Sequence, residues 1–380
     1  MNREEYLKSI KDVIYLTECA VNNHIPTESR INKMNLEELH QAAKDHMLTA
    51  VCAMVLESAG VIKNEFTQDK AKAIRKNTVM DVERKMILER FEAEGIWYMP
   101  LKGSVLSDLY PKYGMRQMSD NDILFDSTRA DDVRRIMESL GFTTKRFGRG
   151  NHDVYVKPPV SNFEMHTSLF SEKEEKKLWE FYNNIKDKLI KDSENNFGFH
   201  FSSEDFYIYI TAHEYKHYYS GGMGLRSLLD TYIFLTNCGD SLDMGYIEAE
   251  CGKLGIEEFE RQIRNLAMHL FKNQPITDDE HEMLRYIIFS GTYGTYENSI
   301  DNKAARYGKG KTAKIKYSFS RLLFPIKESD RYYKKYSSYF PWFYEKKSRL
   351  PLLFFYRLGR AVTIRRKKSV KELKILFRRK

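Results

Sequence analysis

Cysteine is scarce in this chain of 380 residues. The four cysteines are Cys19, Cys52, Cys238 and Cys251, which are widely spaced and form no C-x-x-C pair. Disulfide frameworks and cysteine zinc sites need paired, closer spacings. The sequence therefore indicates neither of them, and it fits a reducing compartment, for which we expect the cytoplasm.

Long apolar runs are missing as well. No uncharged stretch approaches the roughly 20 residues that a helix needs to cross a bilayer. Residues 1–5 lack the basic and then apolar layout of a secretory signal. With 42% hydrophobic and 30% charged residues, the composition is typical of a soluble globular protein of two or three domains.

Acidic residues are rare near the C-terminus. Residues 301–380 carry 25 Lys and Arg but 5 Asp and Glu, a net charge of +20, whereas residues 1–300 have a net charge of −11. The basic runs at 365–368 and 378–380 lie in a region rich in Phe and Tyr. This tail could grip nucleic acid, lie on an anionic membrane surface through the apolar residues 352–355, or dock on the acidic body of the chain itself.

Hydrophobic periodicity predicts an α+β protein, in which a small mixed sheet is embedded in a largely helical chain. Helical spacing dominates before residue 94 and after residue 171, and short apolar strands lie between them. The predicted regions are a helical N-terminal region (1–93), an α/β core (94–171), a helical domain (172–290), a linker (291–316) and a basic, aromatic-rich C-terminal region (317–380).

An Asp-x-Asp pair opens an apolar strand in the predicted core. Asp120 and Asp122 directly precede the strand 123–125, and alternate residues of a strand project from the same face. Two carboxylates at one place suit a hard divalent cation such as Mg²⁺. The earlier turn at 102–104 can offer backbone N–H groups to a phosphate. A metal and phosphates in one pocket indicate nucleotidyl transfer.

A third carboxylate decides how specific this pattern is. Glu164 lies between Phe163 and Met165 on another predicted strand, and an adjacent position in the sheet would bring it to the aspartates. Two-metal phosphoryl chemistry uses such an acidic cluster. The ordered set of Gly-Ser turn, Asp-x-Asp and later strand carboxylate is therefore far more selective than its parts.

These elements resemble the signature of the DNA polymerase β-like nucleotidyltransferase superfamily. More narrowly, the chain resembles bacterial nucleotidyltransferase family proteins that are related to aminoglycoside nucleotidyltransferases, and the resemblance extends from about residue 45 onward. The segments that carry it are Leu101-Lys102-Gly103-Ser104, Leu109-Tyr110-Pro111, Arg116-x-Met118-Ser119-Asp120-x-Asp122, Glu164-x-His166 and Leu225-Arg226-Ser227-Leu228-Leu229-Asp230.

The resemblance implies a small nucleotidyltransferase sheet, Mg²⁺ (or Mn²⁺) held by Asp120 and Asp122, and Glu164 as the third acid. Two features depart from the superfamily pattern. Asn121 is polar where an aliphatic residue is usual, and fifteen residues separate Ser104 from Asp120, which matches the Tyr-Pro insertion of the narrower family.

Other residues near this pattern have two interpretations each. Lys102 and Arg116 could contact a triphosphate or be solvated bases. Ser104, after Gly103, could bind a phosphate or cap a helix. His166 could orient Glu164, touch the nucleotide or be structural.

Asp230 also has two interpretations. It most simply forms a helical ion pair with Arg226. The resemblance to aminoglycoside enzymes makes it a candidate general base toward the acceptor.

The sequence His213-Glu214-Tyr215-Lys216-His217 matches the H-E-x-x-H pattern of zinc hydrolases on a predicted helix. No third ligand is evident, so lining a cleft or the helix surface is the simpler interpretation.

We therefore predict a metal-dependent enzyme that moves a nucleoside monophosphate from an NTP to an acceptor hydroxyl, with a small molecule as the acceptor. The alternatives are a toxin-like nucleotidyl modifier of tRNA or protein, and a non-catalytic nucleotide-binding relative.

Overall fold

The computed structural model describes residues 1–172, 176–308, 310–321, 323–328 and 333–377. The basic run at 378–380 lies outside these residues. The chain forms two compact units, of which unit 1 comprises residues 1–215 and 224–292 and unit 2 comprises residues 216–223 and 293–380.

The N-terminal part of unit 1 is helical, as its apolar periodicity predicts. A capping box begins the first helix, because Asn2 accepts from the N–H groups of Glu4 and Glu5 while Glu5 accepts from the Asn2 N–H. Gly95, with φ +67°, ends the long fifth helix in a left-handed conformation. The helices are α1 (Arg3–Val21), α2 (Glu28–Ile31), α3 (Leu36–Asp45), α4 (Thr49–Ser58) and α5 (Asn64–Glu94).

A five-stranded mixed sheet follows, so the α+β fold class is confirmed. Its strand order is β1-β2-β5-β4-β3, in which β2 and β5 are parallel and the other neighbours antiparallel. The elements are β1 (Tyr98–Leu101), α6 (Gly103–Leu106), β2 (Asn121–Phe125), α7 (Ala130–Ser139), β3 (Thr143–Arg146), β4 (His152–Lys157) and β5 (Ser161–His166).

The two faces of the sheet belong to different cores. Ile123, Phe125 and Met165 pack with side chains of α5 and α7 on one face. Leu124 packs on the opposite face with Tyr209 and other residues of a later helix. Because side chains alternate along a strand, Asp122 and Glu164 lie on the same face as Leu124.

The rest of unit 1 is helical except for a short hairpin. Five of the described helices begin and end within two residues of the segments predicted to be helical, at 205–219, 225–236, 246–254, 256–271 and 279–290. The elements are α8 (Lys176–Tyr182), β6 (Ile190–Lys191), β7 (Phe199–His200), α9 (Ser203–Ser220, whose last turn belongs to unit 2), α10 (Leu225–Cys238), α11 (Met244–Leu254), α12 (Glu257–Phe271) and α13 (Asp278–Ser290).

Unit 2 contains helices where the sequence indicated a linker. The segment 291–316 includes α14 and most of α15, which pack with α19 around Ile300, Tyr317 and Leu376. These contacts join residues that are far apart in the chain, so the apolar pattern within 291–316 was too weak to predict these helices. The helices are α14 (Tyr296–Ala305), α15 (Gly310–Ser320), α16 (Tyr333–Tyr339), α17 (Pro341–Tyr344), α18 (Leu350–Val362) and α19 (Arg366–Phe377). Among the described residues, none of the helices combines the length and the apolar character needed to span a membrane.

Candidate active site

The sheet register brings the predicted acids together. Asp122 of β2 lies directly opposite Glu164 of the parallel strand β5, and Asp120 directly precedes β2. Leu101, the last residue of β1, pairs with Asp122 on the other side, so the turn at Lys102 begins beside the same carboxylate. Three acids and the Gly-Ser turn therefore lie at one place on the sheet.

Lys102 forms an ion pair with Asp122. Its Nζ lies 2.7 Å from Asp122 Oδ1, and the aspartate is 4% exposed. Burial alone would raise the pKa of Asp122, but the ammonium group and a hydrogen bond from His166 outweigh it and hold that pKa below its usual range. Asp122 is thus a carboxylate. The charge of Asp122 likewise outweighs burial and raises the pKa of Lys102.

The backbone at Lys102 is strained. Its φ of +48° and ψ of −113° are costly for a residue with a side chain, by about 1–3 kcal/mol. Gly103 follows without a Cβ, which at this position would lie 2.5 Å from Arg116 Nη1. Ser104 donates from Oγ to the Leu101 carbonyl at 2.8 Å, so its hydroxyl stabilises the turn. The sharp turn places the Lys102 side chain beside Asp122.

Two histidines flank Glu164. His166 Nε2 lies 2.7 Å from Asp122 Oδ1 and 3.8 Å from Glu164 Oε2. His152, which pairs with His166 across β4 and β5, has its Nε2 3.3 Å from Glu164 Oε2. Burial is the main cause that lowers the pKa of His166, and burial with the neighbouring His166 and Arg146 lowers the pKa of His152 to about 3. Both rings are therefore neutral. His152 Nε2, which accepts from Arg146, carries a lone pair, whereas His166 Nε2 donates its hydrogen to Asp122 Oδ1.

The three acids interact electrostatically. Burial, followed by the charges of Asp122 and Asp120, raises the pKa of Glu164 to about 7. Such crowding of carboxylates favours a bound cation, which would relieve their repulsion. Asp120, Asp122 and Glu164 thus offer oxygen donors of the kind that a divalent ion such as Mg²⁺ prefers.

Arg116 and Asp230 form a buried pair beside the turn at Gly103. Arg116 Nε and Nη2 donate to the two carboxylate oxygens of Asp230, each at 2.8 Å, and the Tyr110 hydroxyl donates to Oδ1 at 2.7 Å. Arg226, the partner expected from helical spacing, instead donates to the Gln117 carbonyl. The pair therefore ties the loop before β2 to α10, and both predicted site residues have structural partners.

The H-E-x-x-H segment lies on α9, and Glu214 is its buried member. Glu214 accepts from the Thr231 hydroxyl at 3.2 Å. Burial, then the charge of Asp230, raises the pKa of Glu214 well above its ordinary value, which favours the neutral form of the side chain. A neutral acid does not serve as the general base of a zinc hydrolase.

Four residues near the acids were not identified from the sequence. His152 flanks Glu164, and Arg146 contacts His152 Nε2 through its guanidinium group. Lys76 of α5 donates to the Ser119 carbonyl at 2.7 Å, beside Asp120. Tyr209 of α9 is fully buried, and the charges of Lys102, Asp122 and Glu164 act on its hydroxyl. Only His152 had a signal in the sequence, because a hairpin over residues 152–166 pairs it with His166.

A separate cavity lies beyond the carboxyl ends of β2 and β5. Its walls include Trp97, Phe125, Ser168, Trp179 and Lys186. The three acids do not line this cavity, so it does not belong to the metal-binding arrangement described above.

Comparison with protein families gives one match. The model described as "Uncharacterised nucleotidyltransferase" matches residues 32–272, which include the whole sheet, the acid cluster and α10. No curated protein and no solved structure matches the chain.

Proposed function

We propose, since the chain belongs to the nucleotidyltransferase family matched above, that it transfers a nucleoside monophosphate from an NTP to a hydroxyl group of a small acceptor, with release of pyrophosphate. The single observation that carries this proposal is the register of Asp122 against Glu164, with Asp120 at the entrance of the same strand. We propose further that the sheet is a polymerase β-like core of the kind found in aminoglycoside nucleotidyltransferases.

The roles follow from position and charge. Asp120, Asp122 and Glu164 would hold Mg²⁺ or Mn²⁺, which when bound neutralises charge on the triphosphate and on the attacking oxygen. Lys102 keeps Asp122 ionised and stands at the turn where phosphates would approach. His166 holds the same oxygen of Asp122 and fixes its orientation. Positioning and charge neutralisation are the main sources of rate in such reactions.

We assign no proton transfer to Asp230. Both of its oxygens accept from Arg116, and Oδ1 also accepts from Tyr110. Arg116 is likewise committed to this pair, so we propose Lys102 rather than Arg116 as the cation nearest the triphosphate. Gly103 and Ser104 contribute by shaping the turn that carries Lys102.

The test is incubation of the full chain with each NTP, labelled on its α-phosphate, together with a cell extract. We expect label in small molecules with the wild type and near-complete loss with Asp122→Asn. Asp131→Asn, the same change at an exposed position of α7, is the matched control and should retain activity. Thermal unfolding of each variant checks that it is folded.

The other outcomes separate the alternatives. Label in RNA or protein would favour the toxin-like modifier. Absence of NTP binding in calorimetry, with and without Mg²⁺, would favour a protein without nucleotide function. Undiminished transfer by folded Asp122→Asn would refute the site assignment.

A further inference from the structure

We propose that His152, Glu164 and His166 form a site for a divalent transition-metal ion, which binds there in preference to Mg²⁺. This inference deepens the proposed function and rests on it for the catalytic use of Glu164. The two remain separable, because ion binding can be measured without any nucleotide.

The geometry of the three side chains fits one ion. Within the described residues, they are the one set of three histidine, cysteine or acidic side chains whose ligand atoms all lie within 4.8 Å of one another. Two ligands bound at about 2.1 Å and at a tetrahedral or octahedral angle are about 3.0–3.4 Å apart. The distances from Glu164 Oε2 are 3.3 Å to His152 Nε2 and 3.8 Å to His166 Nε2. His166 Nε2 donates to Asp122 Oδ1 in this structure, so an ion would take this nitrogen once the ring carries its hydrogen on Nδ1 instead. Small side-chain movements would then complete the coordination.

The donor atoms select the metal. Imidazole nitrogen binds ions such as Co²⁺, Ni²⁺ and Zn²⁺ well, whereas Mg²⁺ prefers oxygen donors and retains water. A typical magnesium site has only oxygen ligands. Here two imidazole nitrogens, from His152 and His166 at paired positions of one hairpin, would join the oxygen of Glu164.

A buried hydroxyl beside the cluster points to a ligand independently. Tyr209 is fully buried, and within the described residues its hydroxyl has no hydrogen-bond partner. It stands within electrostatic reach of Lys102, Asp122 and Glu164. A buried hydroxyl without a partner is costly, and a water or phosphate oxygen on a bound ion would accept its hydrogen bond.

Arg146 is the competitor that the site contains. Its guanidinium group contacts His152 Nε2, the atom that would bind the ion. Arg146 lies on the edge strand β3 and is half-buried, so its side chain has room to move. An ion therefore has to displace a cation, and removal of Arg146 should strengthen binding.

The experiment is titration of the full chain with Co²⁺, followed through its visible d–d absorption and by calorimetry, and then competition with Zn²⁺ and with excess Mg²⁺. We expect one Co²⁺ per chain, displaced by Zn²⁺ and retained against a 100-fold excess of Mg²⁺. His152→Ala should weaken binding by at least 10-fold, the order found when metal-site partners are removed. Arg146→Ala should tighten it several-fold. His200→Ala removes an exposed histidine that pairs with Asp192 and is the control.

Several results would overturn the proposal. These are wild-type affinity in folded His152→Ala, displacement of Co²⁺ by Mg²⁺, or weaker binding in Arg146→Ala. Metal binding without nucleotidyl transfer would contradict the proposed function alone.

Unit 2 carries a second inference from different observations. We infer that α18 and the basic segment after it bind an anionic membrane surface. Leu350 and Leu353 of α18 face inward, at 5% and 0% exposed. Leu352 and Phe355 face outward at 52% and 66%, and Val362 at 62%.

The positive charge suits either an anionic membrane or a nucleic acid, and side-chain type favours the membrane. The exposed apolar residues of α18 are followed by exposed bases at 365–368, in a region of net charge +20. A polybasic segment gains about 1 kcal/mol per Lys or Arg at an anionic surface. Phe355 and Tyr356 are exposed aromatic rings on which nucleobases can stack, but the exposed aliphatic side chains Leu352, Val362 and Ile364 beside them suit lipid. The surface therefore fits a membrane interface.

Flotation of the full chain with vesicles tests this. We expect it to float with vesicles of phosphatidylcholine and phosphatidylglycerol, and not with phosphatidylcholine alone. The double variant Leu352→Ser/Phe355→Ser should lose most of the binding. Ile62→Ser, which removes a side chain that is 74% exposed in unit 1, is the control and should float. Equal flotation with neutral vesicles, wild-type flotation of the double variant, or binding to single-stranded RNA but not to vesicles would overturn the inference.

Discussion

Replacement of Asp230 by Asn tests whether this residue stabilises the fold or acts on the acceptor. In the structure Arg116 and Asp230 are buried, at 7% and 5% exposed, and two hydrogen bonds of 2.8 Å join them. Asp230→Asn removes the negative charge but leaves the guanidinium group inside the protein. Loss of one partner of a buried ion pair costs about 3–5 kcal/mol of unfolding free energy, because the other charge is left uncompensated.

The expected loss is large enough to measure by urea and thermal unfolding. At about 2–4 °C per kcal/mol for a domain of this size, the melting temperature should fall by roughly 6–20 °C. Arg116→Met combined with Asp230→Asn should be less destabilised than the sum of the single variants, because no isolated charge remains. Glu138→Gln removes the exposed partner of Arg134 and should cost less than about 1 kcal/mol.

One result would refute this reasoning. If Asp230→Asn unfolds like the wild type but loses nucleotidyl transfer, the carboxylate acts on the acceptor, the role that the sequence resemblance to aminoglycoside enzymes implied. A destabilised variant that keeps transfer at low temperature supports the structural role.

Three further changes have defined outcomes. Glu214→Gln should remove a pH dependence of stability. The folded pKa of Glu214 lies above its ordinary 4.5, so urea titrations should show the wild type losing stability relative to the variant as pH rises above 4.5. Gly103→Ala should lower the free energy of unfolding by about 1–3 kcal/mol, because the new Cβ would lie 2.5 Å from Arg116 Nη1 and disturb a buried ion pair. In the control Gly60→Ala the new Cβ meets nothing within 4 Å, so this variant should show only the smaller cost of its left-handed backbone. Asn121→Val should leave stability unchanged or raise it by about 1 kcal/mol in the same assay, because Asn121 Oδ1 is buried without a hydrogen-bond partner among the described residues.

Local patterns predicted the helices and the central strands well, because burial of one face imposes a period. The helices α9 to α13 begin and end within two residues of their apolar segments. The edge strand β3 was missed for the same physical reason. Its residues Thr143–Arg146 are polar and none is buried, so they carry no period.

The composition of the site was only partly predictable. The i and i+2 spacing of Asp120 and Asp122 predicted a shared face, and the register of β2 and β5 places Glu164 beside them. His152 was missed, although a hairpin centred near Pro159 pairs it with His166. The pairing of Arg116 with Asp230 spans 114 residues and leaves no local signal. Helical spacing therefore suggested the wrong partner, Arg226.

We infer that the ion pair of Lys102 with Asp122 and its proposed contact with a phosphate are successive states of one side chain. An isolated buried carboxylate is very costly, and the ion pair at 2.7 Å offsets that cost without any metal. The strained backbone at φ +48° is retained because it places this ammonium group at the carboxylate. Lys102 would release Asp122 when a divalent ion takes the oxygen, and it would then stand as an unpaired cation where the triphosphate arrives. We therefore infer that binding of the ion and binding of the phosphates strengthen each other through Lys102. Lys102→Met should uncouple them, so that nucleotide affinity no longer rises when the divalent ion is added.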